Sequence, residues 1–137
     1  MKTPPTAGYS GTPLPKKLGI KSETVLSLLN APSGFRELLG ELPRSIRVTS
    51  RISKSTTLAI WFVDRRRVLG ERVSAVSQSL TQGSIWIAWP KKASGVETDV
   101  TEAVVREAGL SAGLVDYKIC AIDSIWSGLL FTRRKPR

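Results

Sequence analysis

Two uninterrupted apolar runs, residues 58–63 and residues 85–89, dominate the hydrophobic pattern of this chain. A strand that is covered on one face alternates apolar and polar residues, whereas a strand that is covered on both faces reads as a continuous apolar run. Both runs are therefore predicted as central strands of a parallel sheet that lies between two layers of helices. Pro90 follows the second run and cannot donate a ladder hydrogen bond, so we expect that strand to end there.

Four further segments have strand patterns, and these are residues 24–29, 46–49, 117–122 and 129–133. In the second of them Ile46 and Val48 alternate with polar residues, which favours a position near an edge of the sheet. The last two segments are joined by residues 123–128, and a connection of that length favours an antiparallel return. The chain is therefore expected to finish in an antiparallel hairpin.

Helical patterns lie before and between the predicted strands. Leu14 and Leu18 are expected to face inward from a short helical turn that ends at Gly19. A second helix, ended by Pro43, has apolar residues at i, i+3, i+4 and i+7. Those residues are Phe35, Leu38, Leu39 and Leu42. The predicted buried stripe of a third helix consists of Val68, Leu69, Val73, Val76 and Leu80.

Acidic residues stand where two of these helices are expected to begin. Asp64 follows a predicted strand directly and is interpreted as the N-cap of the third helix. A fourth helix is predicted to begin at Thr98 or Asp99, because Asp99 and Glu102 together resemble a capping box. Both aspartates thus have a structural interpretation as well as a possible role as an acid or a base.

The succession of strands and helices predicts an α/β fold with three layers. We expect a Rossmann-like, mostly parallel sheet of about six strands that ends in an antiparallel hairpin, which resembles a shortened methyltransferase-like sheet. Residues 14–133 are predicted as the single domain. Residues 1–13, rich in proline, glycine and small polar residues, are interpreted as a flexible arm, and residues 134–137 as a basic tail.

The composition excludes several classes of site. The chain contains no histidine and a single cysteine, Cys120. Histidine-dependent triads, zinc motifs and an internal disulfide are therefore excluded, and no metal or cofactor is predicted. No apolar run approaches the roughly 20 residues of a membrane helix, and the first residues lack the apolar core of a signal peptide. A cytoplasmic location without membrane attachment is the expectation.

The net charge of +10 is concentrated near the two ends of the chain. Residues 1–22 hold four bases and no acid, and residues 133–137 hold another four bases. Such segments bind phosphate polymers weakly by counterion release, although they are also common as solubilising ends. Weak nucleic-acid binding is therefore one alternative, and its candidate contacts are Lys16, Lys17, Arg133, Arg134 and Lys135.

Several short stretches resemble a known family when they are taken together. They are residues 7–14, 16–21, 28–32 and 89–92, and Asp123 followed by residues 126–129. In these stretches the chain is similar to the bacterial family catalogued as domain of unknown function 3052. The resemblance covers about residues 7–135. It implies a cytoplasmic bacterial protein and brings no activity with it.

The strand order predicts where a ligand would bind. If the strands that end at residues 29, 63, 89 and 122 are parallel, the loops that follow them meet at one edge of the sheet, where open α/β sheets bind ligands. These loops supply amide, hydroxyl and cationic groups, and the predicted helix starts at Ser33 and Asp64 add positive dipole ends. The candidate ligand-binding residues are Asn30, Ser33, Arg65, Lys91, Lys92, Asp123 and Trp126.

Each candidate also has a simpler interpretation. The basic residues are equally typical of solvated loops, and Asp123 of a turn former. Trp126 is placed in the loop before the last strand, where its indole either folds over the end of the sheet or stacks on a ligand base or a partner side chain. Cys120 lies in an apolar run and is interpreted as a small buried hydrophobic residue.

The residues argue against S-adenosylmethionine-dependent transfer. The first turn, residues 30–34, contains one glycine, and Pro32 removes an amide donor from it. The second strand ends at Thr49 and Ser50, so no carboxylate is placed to bind a ribose. The sequence therefore favours a non-catalytic binding or regulatory module for an anionic small molecule or a protein partner. Nucleic-acid binding through the terminal segments and an enzyme of the methyltransferase-like fold stay open as alternatives.

Overall fold

A six-stranded sheet forms the centre of the computed structural model, which describes residues 12–134. The strands are β1 (Val25–Leu29), β2 (Arg47–Thr49), β3 (Leu58–Phe62), β4 (Ser84–Pro90), β5 (Leu114–Ala121) and β6 (Trp126–Arg133). The helices are α1 (Leu14–Leu18), α2 (Phe35–Leu39), α3 (Arg66–Ser79) and α4 (Glu102–Ser111), and a 3-10 turn, Lys92–Ser94, follows β4. Nearly all of the predicted arm, and residues 135–137 of the predicted tail, lie outside the described residues.

The strand order across the sheet is β2-β1-β3-β4-β6-β5. The neighbours from β2 to β4 are parallel, while β6 is antiparallel to both β4 and β5. The predicted α/β fold, with a mostly parallel sheet and a final antiparallel hairpin, is thereby confirmed. The predicted edge position of β2 and the central position of β3 are confirmed as well.

Helices cover both faces of the sheet. On one face α1 and α2 contribute Leu18 and Phe35 to a cluster that includes Ile60 and Phe62. On the other face α3 and α4 pack on a second cluster, to which β3 contributes Ala59 and Trp61. Successive residues of β3 therefore enter opposite cores, and all five of its residues are buried. This is the physical reason for its uninterrupted apolar sequence.

The two tryptophans of β4 lie on opposite faces of the sheet. Trp86 is fully buried in the cluster below α1, and Trp89 lies in the cluster below α3 and α4. The indole Nε1 of Trp86 donates a hydrogen bond of 2.9 Å to the carbonyl oxygen of Leu18. A buried indole usually needs such a partner. The short helix α1 is thereby joined to the centre of the sheet.

The connection between β2 and β3 leaves part of the sheet thinly covered. Residues 50–57, all of them described, pass across β1 as an irregular loop rather than as a helix. One consequence is that Val68, which was predicted to be buried, is 40% exposed on α3. The periodicity was right in identifying the helix, but the interpretation of Val68 was wrong because no crossover helix packs against it.

The predicted helix starts need correction. Arg65, not Asp64, is the N-cap of α3, and its side chain makes no capping hydrogen bond. Instead, Asp99 reaches α3 from a distant loop, and its Oδ1 accepts a hydrogen bond of 2.7 Å from the amide of Arg66. The N-cap of α4 is Thr101, whose hydroxyl accepts from the amide of Val104 at 3.2 Å. Capping was thus correctly expected at both helices, but the residues assigned to it were wrong.

Two further boundaries differ from the prediction. Helix α2 ends at Leu39 rather than Leu42, because Gly40 adopts a positive φ of 73°. The second helix start at Ser33 is also wrong, since the N-cap is Gly34 with φ 85°. In the final hairpin Trp126 belongs to β6 and pairs with Pro90, although it was predicted to lie in the loop.

Candidate functional site

The predicted gathering of loops takes place at the carboxyl ends of the parallel strands. The side-chain Nδ2 of Asn30, just after β1, donates to the carbonyl oxygen of Phe62 at the end of β3 at 3.0 Å. The amide of Lys91, after β4, donates to the carbonyl oxygen of Ile125 at 2.7 Å. Thr98 donates through its hydroxyl to the carbonyl oxygen of Asp64 at 2.6 Å. These bonds connect the loops in pairs at this edge.

The residues beside β4 and β6 form the first part of this edge. Oδ1 of Asp123 accepts hydrogen bonds from the amides of Ile125 at 2.8 Å and Trp126 at 2.7 Å. Its carboxylate therefore shapes the turn, in agreement with the simpler interpretation of this residue. Lys91 is half-buried, and Lys92 is exposed at the start of the 3-10 turn. These two lysines are the cationic groups of this part of the edge.

The indole of Trp126 folds over the end of the sheet. Its ring lies 5.0 Å from the ring of Phe62, in an edge-to-face arrangement with an interplanar angle of 87°. Phe35 contacts the same Phe62 ring, with 4.8 Å between ring centroids. Edge-to-face pairs of this kind are stabilising because the positive ring edge meets the negative face of its neighbour. Trp126 is half-buried, so its role in the fold is to cover this aromatic cluster.

Arg65 lies in a cavity of about 700 Å³ at the beginning of α3. Four of the residues that line this cavity are acidic, namely Asp64, Glu71, Glu97 and Asp99. Arg67, the other base in the lining, forms an ion pair of 3.0 Å with Glu71. Because carboxylates outnumber the bases here, this cavity does not favour an anion.

A second cavity, which we call the basic crevice, opens at the carboxyl ends of β1 and β2. Its volume is about 680 Å³, and its lining is Leu28, Asn30, Ala31, Arg36, Val48, Thr49, Ser50 and Arg51. The lining contains two arginines and no carboxylate. The ion pairs found within residues 12–134 involve neither of these arginines. Their guanidinium groups are therefore free to meet a ligand.

Sequence reasoning found Asn30 in this crevice but missed Arg36 and Arg51. Arg36 is on α2 and Arg51 is two residues beyond β2, so they are distant in the sequence. Only the parallel pairing of β1 with β2 brings the two together. The position of Arg51 just after a strand end was the one available signal. Ser33, which was predicted to bind, is exposed on the loop before α2 and is not part of this lining.

A buried hydroxyl cluster holds the loop that carries Arg51. The hydroxyl of Ser27, fully buried in β1, lies 2.7 Å from that of Thr49 and 2.8 Å from that of Thr56. The Thr49 hydroxyl also donates to the carbonyl oxygen of Arg51 at 3.0 Å. The Ser27 hydroxyl also lies 3.0 Å from the carbonyl oxygen of Arg51, so two hydroxyls converge on this oxygen. The loop after β2 is thereby anchored to the core.

The bases of the nucleic-acid alternative are partly engaged by the fold. Nζ of Lys17 donates to the carbonyl oxygen of Ala121 at 3.0 Å, and a guanidinium nitrogen of Arg133 donates to the carbonyl oxygen of Ser77 at 2.9 Å. The backbone of Arg134 is also bonded to the domain, while Lys16 is exposed. Lys135 lies outside the described residues. The predicted domain end at residue 133 therefore falls within a bonded segment.

Residues 12–134 contain neither a cluster of metal ligands nor a membrane-spanning helix. No group of three or more histidine, cysteine, aspartate or glutamate residues in this range could hold a metal ion. No helix in the same range is long and apolar enough to cross a membrane. Cys120 is buried, and its thiol lies 3.3 Å from the carbonyl oxygen of Ala121.

Comparison with known proteins identifies similar folds but no family. No protein-family model matches the chain, and no curated protein matches it. Among solved structures, a SAM-dependent methyltransferase from Aquifex aeolicus is similar, with a TM-score of 0.58 and 12% identity over 85% of each chain. A protein described as a type 11 methyltransferase from Sulfolobus solfataricus gives a TM-score of 0.58 and 14% identity over 90% of each chain. At these identities the likeness shows a shared methyltransferase-like fold alone.

Proposed function

We propose that this protein is a non-catalytic binding or regulatory module whose basic crevice holds an anionic small molecule or an acidic group of a protein partner. The observation that supports this most directly is the pairing of Arg36 and Arg51 across a cavity without carboxylates. Guanidinium groups form paired, charge-assisted hydrogen bonds with phosphate and carboxylate oxygens. A cavity of about 680 Å³ is within the usual range for small-molecule sites.

The position of the crevice supports the same function. In an open α/β sheet, ligands bind outside the carboxyl ends of the strands, where the strand order reverses. Here the order reverses at β1, since β2 lies on one side of it and β3 on the other. The crevice is at this strand end, with the side-chain amide of Asn30 fixed beside it. A rigid scaffold with two free cations is suited to binding an anion.

An S-adenosylmethionine-dependent enzyme is the second candidate, and the two solved methyltransferases of similar fold favour it. The residues at the carboxyl ends of β1 and β2 favour this enzyme less. S-adenosylmethionine carries sulfonium and ammonium cations as well as one carboxylate, so its net charge is positive, and two neighbouring arginines favour it less than an anion. The end of β2 provides Thr49 and Ser50 rather than a carboxylate for the ribose, and Pro32 has no amide hydrogen to donate.

Isothermal titration calorimetry distinguishes these two candidates. The purified protein is titrated with inorganic phosphate, with citrate and with S-adenosylmethionine, each at up to millimolar concentration and at low ionic strength. We expect heat of binding with at least one of the two anions and none with S-adenosylmethionine. Binding of S-adenosylmethionine alone would favour the enzyme, and no binding at all would exclude the crevice as an anion site.

A double variant tests the residues that carry the proposal. Arg36→Gln with Arg51→Gln removes both cations, and we expect the anion affinity to fall at least tenfold, since each charged hydrogen bond contributes about 1.5 kcal/mol or more. The control is Arg44→Gln with Lys54→Gln, which removes two exposed charges from the loops that precede β2 and β3. An equal loss in both variants would indicate a general effect of net charge rather than a site.

The cationic group beside β4 remains a second hypothesis for the same edge. Lys91 and Lys92 lie next to the Asp123 turn, apart from the crevice lining. If they bind the anion, Lys91→Ala with Lys92→Ala should weaken its binding more than the double arginine variant does. The opposite order of effects assigns the ligand to the crevice.

Nucleic-acid binding through the chain ends is the third possibility, and net charge supports it. Its test is the salt dependence of binding to generic RNA and DNA, with and without residues 1–11 and 135–137. These cuts spare Lys17 and Arg133, whose side chains are bonded to the fold. Loss of binding on trimming would favour this function over the crevice. The cytoplasmic location and the family resemblance stay predictions.

A further inference from the structure

A groove with a partly apolar lining continues from the basic crevice along α3. It consists of two cavities of about 420 and 260 Å³. Ser50 lines both of these cavities and the basic crevice as well, so the three spaces adjoin at this residue. The groove follows α3 from Val68 to Ser79. At 1.5 Å per residue this stretch of helix is roughly 16 Å long.

The groove exists because β2 and β3 are joined without a helix. A crossover helix at this point would pack against α3 and would cover β1, as in most parallel sheets. Here the irregular loop provides a single apolar side chain, Ile52, which packs on the core below α3. The apolar surface of Leu29 and Val68 consequently borders open space.

The two sides of Ser50 differ in chemistry. On the crevice side the lining includes Arg36 and Thr49, and Asn30 lines both the crevice and the first groove cavity. On the groove side the polar and basic residues of the lining alternate with six apolar ones, which are Leu29, Ile52, Trp61, Val68, Ala75 and Val76. Arg51 lines both the crevice and the second groove cavity, so it stands at the junction. Arg72, the other base of the groove, can lay its aliphatic stem along the apolar surface.

We propose that the ligand of this site is an amphiphilic anion, in which a phosphate or carboxylate head is bound by Arg36 and Arg51 and an apolar chain lies in the groove beside α3. This inference rests on the proposed anion-binding function and specifies its ligand class. A small inorganic anion would use the crevice alone and leave the groove solvated. A chain attached to the anion covers Leu29 and Val68, and removing apolar surface from water is favourable.

Chain-length dependence of binding is the direct test. Inorganic phosphate, butyl phosphate and hexyl phosphate are titrated into the full-length protein by calorimetry, below the concentrations at which the alkyl phosphates aggregate. Each methylene that is fully buried should strengthen binding by up to about fourfold. We therefore expect hexyl phosphate to bind about tenfold more tightly than butyl phosphate, and both to bind more tightly than inorganic phosphate.

The same titration separates this inference from the proposed function. If inorganic phosphate binds and the alkyl chains add nothing, the amphiphile is excluded while the anion site stands. If none of the three ligands binds, both proposals fail. Hexyltrimethylammonium has an equal chain and the opposite charge. Binding of this cation as tight as that of hexyl phosphate would overturn the proposal, because it would indicate apolar adhesion without recognition of an anion.

A groove variant with a matched control completes the test. Ala75 is an exposed residue of α3 that lines the groove, and Ala75→Phe fills part of the space. Ala103→Phe places the same side chain on the exposed surface of α4. We expect Ala75→Phe to remove most of the difference between hexyl and butyl phosphate, with inorganic phosphate unaffected, and Ala103→Phe to change neither. An unchanged chain-length dependence in Ala75→Phe would overturn the proposal.

Discussion

The half of the sheet around β4 and β6 and the β1–β2 end are built differently. Around β4 and β6 the packing is close. A side-chain carbon at Gly128 would lie 3.1 Å from the Trp86 ring, and one at Gly109 of α4 would overlap the ring of Phe131. At the other end β2 has only three residues, none of them fully buried, and a loop replaces the crossover helix. The β4–β6 half therefore has the dense contacts that stabilise a fold, and the β1–β2 end has an open surface of the kind that ligands require.

Charge divides between two stretches of the chain. Residues 44–72 contain eight bases and two acids, whereas residues 96–116 contain five acids and one base. That base, Arg106, is bonded to Glu102 at 2.9 Å and to Asp116 at 3.1 Å, and these carboxylates hold its pKa above the ordinary value. Residues 23–132, which hold 13 bases and 11 acids, are therefore close to neutral in sum although one stretch is basic and another is acidic. Three of the eight bases, Arg65, Arg66 and Arg67, lie beside acidic residues of the second stretch, while the bases at the β1–β2 end would attract an anion.

Trp86→Ala should have the largest effect on stability. The substitution empties a fully buried position and removes the indole donor from the Leu18 carbonyl, so we expect the free energy of unfolding to fall by about 4 kcal/mol. Urea denaturation measures this change. Val68→Ala, at an exposed position beside the groove, should destabilise much less. An equal loss in both variants would contradict the difference in packing between the two regions.

Replacing glycine by alanine should have opposite effects on stability at two helical positions. Gly109→Ala places a methyl group against the buried ring of Phe131, and we expect a loss of about 2 kcal/mol. Gly70, within α3, has nothing within 4 Å of the added carbon. Gly70→Ala should therefore stabilise by about 1 kcal/mol, since alanine is the better helix former. Thermal unfolding of the two variants compares them directly, and effects of the same sign would contradict this account of the packing.

Ser27→Ala tests how the hydroxyl cluster stabilises the β1–β2 end of the sheet. It breaks the hydroxyl cluster, and we expect a loss of about 1.5 kcal/mol in unfolding free energy, because the buried hydroxyl of Thr56 loses a partner. The loop that carries Arg51 should also loosen, so phosphate affinity should fall severalfold. Ser74→Ala, at an exposed position on α3, is the control and should change neither quantity. Unchanged affinity in Ser27→Ala would show that the cluster does not position the site.

The sequence carried most of the information on the strands. Continuous apolar runs identified β3 and β4 because each strand has residues in both cores, and alternation identified β2 as an edge strand. The sequence also predicted local turns, since Gly19 ends α1 with a positive φ and Asp123 forms a turn as expected. These features depend on neighbours along the chain or on burial on both faces, and both leave a pattern in the sequence.

Contacts between distant segments left no such pattern. Asp99 caps a helix that begins 33 residues earlier in the chain, so proximity in sequence pointed to Asp64 instead. Arg36 and Arg51 were missed for the same reason. Val68 fits the apolar periodicity of α3 but faces a gap that is created by a loop elsewhere in the chain.

The sequence by itself determined the layered α/β architecture, the mostly parallel sheet and the edge at which the strand-end loops gather, because apolar periodicity records burial directly. Tertiary structure alone decided which cations share a cavity and which helix surface stays uncovered. Those properties depend on the order of strands in the sheet and on the missing crossover helix between β2 and β3, and neither is encoded by residues adjacent in sequence.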